Sequence, residues 1–272
     1  MKRFLALMLV AVLALSLMAC GQNTEVEEPV TEVESDLAYV TEKGELIIGM
    51  TLFAPMDYMD ENGELTGFEV EFGKAVCEKL GLTPNFIEIN WDAKETELNS
   101  KNIDCIWNGM TITEERKTNM SVSVPYLGNK QVMVAKADKA DAYVTDVTGA
   151  KVVAELGSAG EELALENEFF AAAEFTGVDS MAKALMEVKA GTADIAIVDY
   201  VTSIGSIGKG TDYADFVVVE AEDFAAEEYG IAFRKGSDLC EKVNEVIAEL
   251  TADGTLKAIA EKYKLADLLI AE

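Results

Sequence analysis

The sequence predicts a two-lobed α/β protein, with two doubly wound lobes joined by two connecting strands and a cleft between them. Three observations carry this. Between residues 46 and 107, apolar runs alternate with amphipathic stretches in the order β-α-β-α-β. From Lys151 the same order starts again. The halves also match locally. Asn102-Ile103-Asp104-Cys105-Ile106 stands beside Thr192-Ala193-Asp194-Ile195-Ala196. In both, a helix ends, an aspartate opens a strand, and the strand delivers polar groups at its C-terminal end, where open α/β sheets bind ligands. A chain of 272 residues has room for two such lobes of roughly 100 residues each.

Taken in order, Leu46-Ile47-Ile48-Gly49 reads as a short buried strand, and Phe53-Ala54-Pro55-Met56-Asp57-Tyr58 as a loop with apolar groups. Asp60-Glu61-Asn62-Gly63 is a hairpin signal. A helix follows to Leu80, with Phe72, Ala75, Val76 and Leu80 on one face and Gly81 as its stop. The spacing predicts a strand at 85–89, a loop carrying Trp91, and a helix at 93–98. Residues 102–116 are the centre of the chain. A strand at 103–107 breaks at Asn108-Gly109, where backbone N–H groups can face a cleft. Thr111 and Thr113 add hydroxyls, and Thr113-Glu114-Glu115-Arg116 reads as a helix start with Arg116 inside the first turn. A fork-shaped cation beside a strand end suits a carboxylate; a surface pair with Glu115 would explain the residue equally well. Strands are expected at 122–127 and 131–135, then a polar segment at 136–146. The second lobe reads as a strand at 151–156, the tight loop Gly157-Ser158-Ala159-Gly160, helices at 161–170 and 180–190, and a strand at 195–198 ending at Asp199. Strands at 216–219 and 229–233 and helices at 238–251 and 256–263 complete it. The connections between lobes are expected near 132–135 and 229–233.

Composition removes several function classes. The net charge of −28 opposes nucleic acid and anionic lipid surfaces. No histidine is present, which excludes histidine triads, histidine metal sites and histidine proton relays. No phosphate-binding glycine loop occurs, and no cofactor is expected. Lys2 and Arg3 precede an apolar run over residues 4–18, too short for a membrane span and suited to a signal segment. That run closes on Leu17-Met18-Ala19-Cys20-Gly21, which resembles a bacterial lipoprotein signal, so Cys20 is the expected lipid-bearing residue. Residues 22–37 are acidic and lack aromatics, as in a solvated tether. Cys77, Cys105 and Cys240 stand in apolar contexts that favour buried thiols; a Cys77–Cys105 bridge stays open. The expected layout is a signal peptide at 1–19, a tether at 20–43, lobe one at 44–135 plus 229–272, and lobe two at 136–228.

Several stretches together resemble the extracellular solute-binding proteins of family 3, the polar amino-acid receptors of ABC importers. They are Asp60-Glu61-Asn62-Gly63 with Gly67-Phe68-Glu69-Val70, Asn108-Gly109-Met110-Thr111-Ile112-Thr113-Glu114-Glu115-Arg116, Pro125-Tyr126, Tyr229-Gly230-Ile231-Ala232-Phe233-Arg234-Lys235-Gly236, and Ala252-Asp253-Gly254-Thr255. The resemblance implies two Rossmann-like lobes on a two-strand hinge, a type II periplasmic-binding-protein-like clamp. It implies Arg116 on the ligand α-carboxylate, helped by Thr111, the Gly109 backbone and Ser158, and Asp199 on the α-ammonium. Phe53 would cover the ligand, and Trp91 and Asn108 would line its side-chain pocket. Plainer roles stand beside these: Asp199 and Ser158 as helix caps, Phe53 and Trp91 as packing, Asn108 as a turn residue. Met56 stands where the family often has phenylalanine, and Ala159 and Gly160 replace larger polar groups, which would empty part of the pocket. The expected ligand is a free L-amino acid with a polar side chain, uncharged or acidic. The expected partners are ABC permease subunits and, through the lipid, the outer face of the cytoplasmic membrane; the protein is expected as a monomer. The alternative is an enzyme on the same clamp, resembling cyclohexadienyl dehydratase. It would draw its acid or base from Asp57, Glu161 or a lysine.

Overall fold

The computed structural model describes residues 35–221 and 224–270. The expected signal segment, Cys20 and residues 20–34 of the expected tether lie outside the described residues. Residues 36–43, expected as part of the tether, form a helix instead, α1 (Asp36–Lys43). Ser35 caps it, Val40 is fully buried, and Asp36 pairs with Arg234 at 2.8 Å. An acidic composition concealed a segment that is bound down at both its apolar and its charged side.

Along the chain, α1 is followed by β1 (Glu45–Met50), β2 (Tyr58–Met59) and β3 (Leu65–Thr66). Next come α2 (Phe68–Leu80), β4 (Thr83–Glu88), α3 (Lys94–Asn99), β5 (Cys105–Ile106), α4 (Glu114–Asn119) and β6 (Ser121–Val122). The long strand β7 (Leu127–Lys136) leads to β8 (Lys151–Glu155), α5 (Ala159–Glu166), β9 (Glu174–Val178), α6 (Met181–Ala190) and β10 (Ile195–Asp199). The chain continues through α7 (Tyr200–Ser206), β11 (Phe216–Val218), β12 (Ala226–Tyr229), β13 (Ala232–Phe233), α8 (Asp238–Ala252) and α9 (Thr255–Lys262).

These strands build two lobes. The first lobe's sheet runs β4-β1-β5-β13-β6, and the second's runs β11-β7-β10-β8-β9. In the first, β1 is parallel to β4 and β5; in the second, β8 is parallel to β9 and β10. Parallel neighbours need crossovers long enough for a helix, and α2, α3, α5 and α6 supply them. Phe68, Phe72 and Trp107 pack beneath the first sheet, with Phe72 edge-on to Trp107 at 4.8 Å. Phe169, Phe170 and Phe224 form an aromatic cluster in the second lobe. All three cysteines of the folded part are free and buried, so the open Cys77–Cys105 bridge does not form.

The crossing between the lobes differs from expectation. Residues 127–130 of β7 pair antiparallel with β12, from Leu127↔Tyr229 to Lys130↔Ala226. Residues 131–136 pair instead with β10 and β11, and Ala232–Phe233 lies inside the first sheet. The two connections are therefore 127–130 and 226–229, and residues 132–135 belong to the second sheet. Their strong apolarity is that of a central strand buried on both faces; an apolar run cannot show where along its length it changes partners.

The start of α2 rests on Gly67, whose φ is +134°. A Cβ built there would meet the Met56 carbonyl oxygen at 1.9 Å. Gly67→Ala is expected to cost more than about 1 kcal/mol of unfolding free energy. It should also loosen the Phe53-to-Tyr58 loop; urea unfolding of the variant checks this.

Candidate functional site

Residues following β5 and residues closing β8 and β10 come together with Trp91, Arg116 and Met181 around one enclosed space. Seven of the eight expected site residues line it: Trp91, Asn108, Gly109, Thr111, Arg116, Ser158 and Asp199. The space amounts to about 10 Å³, barely that of one water, because the lobes press together here. Phe53 stands just behind, its ring 2.9 Å from where a Cβ of Gly109 would lie. Phe53 is also buried in the first lobe's core, so it serves packing as well.

Arg116 is buried inside the first turn of α4, where Thr113 caps the helix by accepting from the Arg116 N–H at 3.1 Å. Its guanidinium is held by groups other than Glu115. Nη1 donates to the Thr111 carbonyl at 2.7 Å, and Nη2 reaches the second lobe, donating to the Gly157 carbonyl at 3.4 Å and to Glu162 at 3.1 Å. Thr111 thus holds Arg116 through its carbonyl, while its hydroxyl donates to Glu227 at 3.1 Å.

Asp199 lies across the same space, at the end of β10 and 3 % exposed. It makes no side-chain cap for α7. Its Oδ1 accepts from Asn129 at 2.7 Å and from Gln131 at 2.5 Å. Both donors stand on β7, the strand that links the lobes. Burial, with the charge of Glu227, pushes Asp199 up to about 7. Ser158 does cap α5, accepting from the Glu161 N–H at 3.2 Å, and it also lines the space.

The Asn108-Gly109 turn departs from expectation. The Gly109 N–H, expected to face a ligand, donates to both oxygens of buried Glu69 at 2.9 and 3.0 Å. Tyr126 donates its hydroxyl to the same carboxylate. The Asn108 amide is likewise engaged: Nδ2 donates to the Thr51 carbonyl at 2.8 Å and to Asp57 at 2.9 Å, and Oδ1 accepts from the Thr51 hydroxyl at 2.7 Å. Asp57 and Glu69 are both held above the usual carboxylate range, chiefly by burial. Gly160 departs too. A Cβ there would meet Gln131 Oε1 at 3.1 Å and Ile197 at 3.3 Å, so this glycine lets α5 sit close on the sheet rather than emptying a pocket.

Two buried charged residues at the site were not anticipated. Lys94 donates to the Gly157 carbonyl at 2.8 Å and the Trp91 carbonyl at 3.3 Å, with its ammonium 5.0 Å over the Trp91 ring. Burial and the neighbouring Arg116 lower it to about 8. Glu155, at the end of β8, is 1 % exposed and lines the space. Burial, then the charge of Asp199, pushes it up to about 8. A charged residue in the otherwise apolar strand Val152-Val153-Ala154-Glu155 was a readable signal. Lys94 carried none, standing in an acidic helix start.

The raised carboxyls make stability depend on pH. Asp199 and Glu155 bind protons more tightly folded than unfolded, so their contribution is fully present only below about pH 4, declines above it, and is lost as pH rises through about 7 and 8. The lowered Lys94 acts only above about 8. The unfolding free energy without ligand is expected to fall by a few kcal/mol, as an order of magnitude, between pH 5 and pH 8. Urea titrations at the two pH values measure it, and Glu155→Gln should flatten the slope.

The chain matches known proteins along its folded length. The L-cystine-binding protein TcyJ of Escherichia coli K12 is 33% identical over 239 residues, covering 86% of this chain and 88% of TcyJ. The arginine-binding extracellular protein ArtP of Bacillus subtilis 168 is 29% identical over 266 residues, covering 97% of this chain and 98% of ArtP. Among solved structures, the ancestral amino acid-binding protein AncCDT-1, a precursor of cyclohexadienyl dehydratase, superposes with a TM-score of 0.74 at 32% identity, covering 84% of this chain and 99% of that one. The family model of the bacterial extracellular solute-binding proteins, family 3, matches residues 46–266, and the chain belongs to that family.

Proposed function

We propose that the protein captures one free L-amino acid between its lobes, outside the cytoplasmic membrane, and delivers it to an ABC importer. One observation carries the reading: a buried cation and a buried anion, Arg116 and Asp199, stand on opposite lobes and line one space. A zwitterion supplies the counter-charge to each, and buried charges require such pairing. Arg116 takes the α-carboxylate, which displaces the half-exposed Glu162 from it. Ser158 accepts from the helix with its oxygen, which leaves its hydroxyl hydrogen for the same carboxylate. Asp199, steadied by Asn129 and Gln131, takes the α-ammonium. Thr111 acts by fixing Arg116, and Gly109 by the close packing of Phe53 that its missing side chain allows. Trp91 walls the ligand side chain.

The lobes must part to admit a ligand, since the enclosed space is about 10 Å³. A ligand that touches both lobes favours the closed form by its differential contacts. The crossing at 127–130 and 226–229 is the hinge for that motion. Of the groups first considered for the dehydratase alternative, a lysine does stand at the site, Lys94 lowered to about 8, whereas the two carboxyls are engaged elsewhere. Asp57 is buried against Asn108, and Glu161 accepts the Gly157 N–H at 2.6 Å. The Leu17-Met18-Ala19-Cys20 tetrad supports a lipid anchor at Cys20, with the protein acting as a monomer.

A thermal-shift screen of residues 35–272 over the twenty amino acids, ornithine, citrulline, cystine and prephenate tests the reading, because ligand that binds the native state raises the midpoint. A shift with one or a few L-amino acids is expected. Arg116→Ala and Asp199→Ala should each weaken that binding by about 2–5 kcal/mol, the usual cost of removing one partner of a buried charge pair. Affinity within twofold of wild type removes the residue from the site, and turnover of prephenate establishes the enzyme instead. Separately, Cys20→Ala should release the protein from the membrane fraction of expressing bacteria. Retention in that fraction would end the lipid-anchor reading.

A further inference from the structure

Once a zwitterion is placed, the remaining charged groups of the site are unequally satisfied. Arg116 is used by the α-carboxylate and Asp199 by the α-ammonium. Lys94 and Glu155 remain. Lys94 stands at the carboxylate end, where it and Arg116 converge on the Gly157 carbonyl. Its ammonium is already directed to two carbonyls and the Trp91 ring. Glu155 differs. It is almost fully buried and lines the ligand space from the second lobe; the Met181 backbone N–H and the charge of Lys94 act on its carboxyl, yet its Oε1 has no hydrogen-bond partner among the described residues. A buried carboxylate oxygen without a donor costs free energy that a partner can recover. Asp199 faces the same space and repels Glu155 further.

We infer that Glu155 receives a second cationic nitrogen of the ligand, so that the bound amino acid carries a positive group besides its α-ammonium. This rests on the zwitterion reading above and adds the ligand class. Trp91 lines the same space, and an indole face accommodates a cation. A guanidinium or ammonium aimed at Glu155 is paired on arrival. A second carboxylate there would be buried against Glu155 and Asp199 together. The inference departs from the polar uncharged side chain that Asn108 and Trp91 would suit, because the Asn108 amide is already held by Thr51 and Asp57. The second nitrogen has two sources, a basic side chain as in arginine or lysine, or the second amino-acid head of a molecule such as cystine.

Calorimetric titration of the wild-type protein with L-arginine, L-lysine, L-citrulline, L-glutamine, L-glutamate and L-cystine separates the possibilities. Citrulline has nearly the shape of arginine without its charge. A cationic ligand should bind at least about tenfold more tightly than its neutral counterpart. Glu155→Gln, which keeps the shape of the side chain, should reduce that preference to about twofold or less while leaving the melting transition cooperative. If cystine alone binds, Glu155→Gln should weaken it at least about tenfold, which assigns the second head as the source. The wild-type comparison holds even if the variant folds poorly. Equal or tighter binding of citrulline, glutamine or glutamate, abolished by Arg116→Ala, overturns the Glu155 inference and leaves the amino-acid reading standing. Preferences unchanged in Glu155→Gln also overturn it. Binding of none of these compounds defeats both.

Discussion

The structure depends on buried charges that neither lobe neutralises alone. Arg116 and Lys94 belong to the first lobe, yet both reach across to the Gly157 carbonyl of the second. Asp199 and Glu155 belong to the second lobe and are raised chiefly by their burial, Asp199 further by Glu227 and Glu155 further by Asp199. Charge removed from water must be paired or protonated. The closed arrangement therefore satisfies the site only in part, through carbonyl dipoles and retained protons. In the proposed reading, a ligand with complementary charges completes it, which would link recognition to closure.

Two glycines let the lobes come so close. Gly157, at φ +71°, sits where a Cβ would lie 2.9 Å from the Asp92 Cα. Gly205 of α7 faces the loop after β1, where a Cβ would lie 2.6 Å from the Pro55 nitrogen. One is beside the charged cluster and the other is beside Phe53. Small residues at close interlobe approaches also bring the charges within reach, since electrostatic attraction strengthens as separation and water content fall. Packing and electrostatics are thus set by the same contacts.

Beneath the site lies a second polar layer. Glu69, Asp57, Asn108 and Tyr126 fix the Asn108-Gly109 turn from below. Such a network is costly to bury unless its members are satisfied. It holds the turn that Phe53 packs against and that leads to Thr111, which in turn orients Arg116. Catalytic-looking carboxyls here, Asp57 above all, are parts of that support.

Much was legible in one sequence. The strand and helix order, the hairpin at Asp60-Glu61-Asn62-Gly63 and the pairing of a cation with a strand end follow from periodicity and local backbone chemistry, which act over a few residues. Seven of the eight expected residues also line one space, because loops at strand ends face the cleft in this kind of sheet. The exact crossing strands were not legible, since an apolar run looks alike in either sheet. Neither was α1, whose acidic surface hid Val40 and the Asp36–Arg234 pair. The commitment of the Gly109 N–H to Glu69, and the places of Lys94 and Glu155, join residues 40 or more positions apart. Sequence by itself supplied Arg116 and Asp199, the charged groups proposed here to bind a zwitterion. Only the tertiary structure decided which of them have donors and acceptors left to spare, because hydrogen-bond saturation is settled by neighbours that the chain brings from elsewhere.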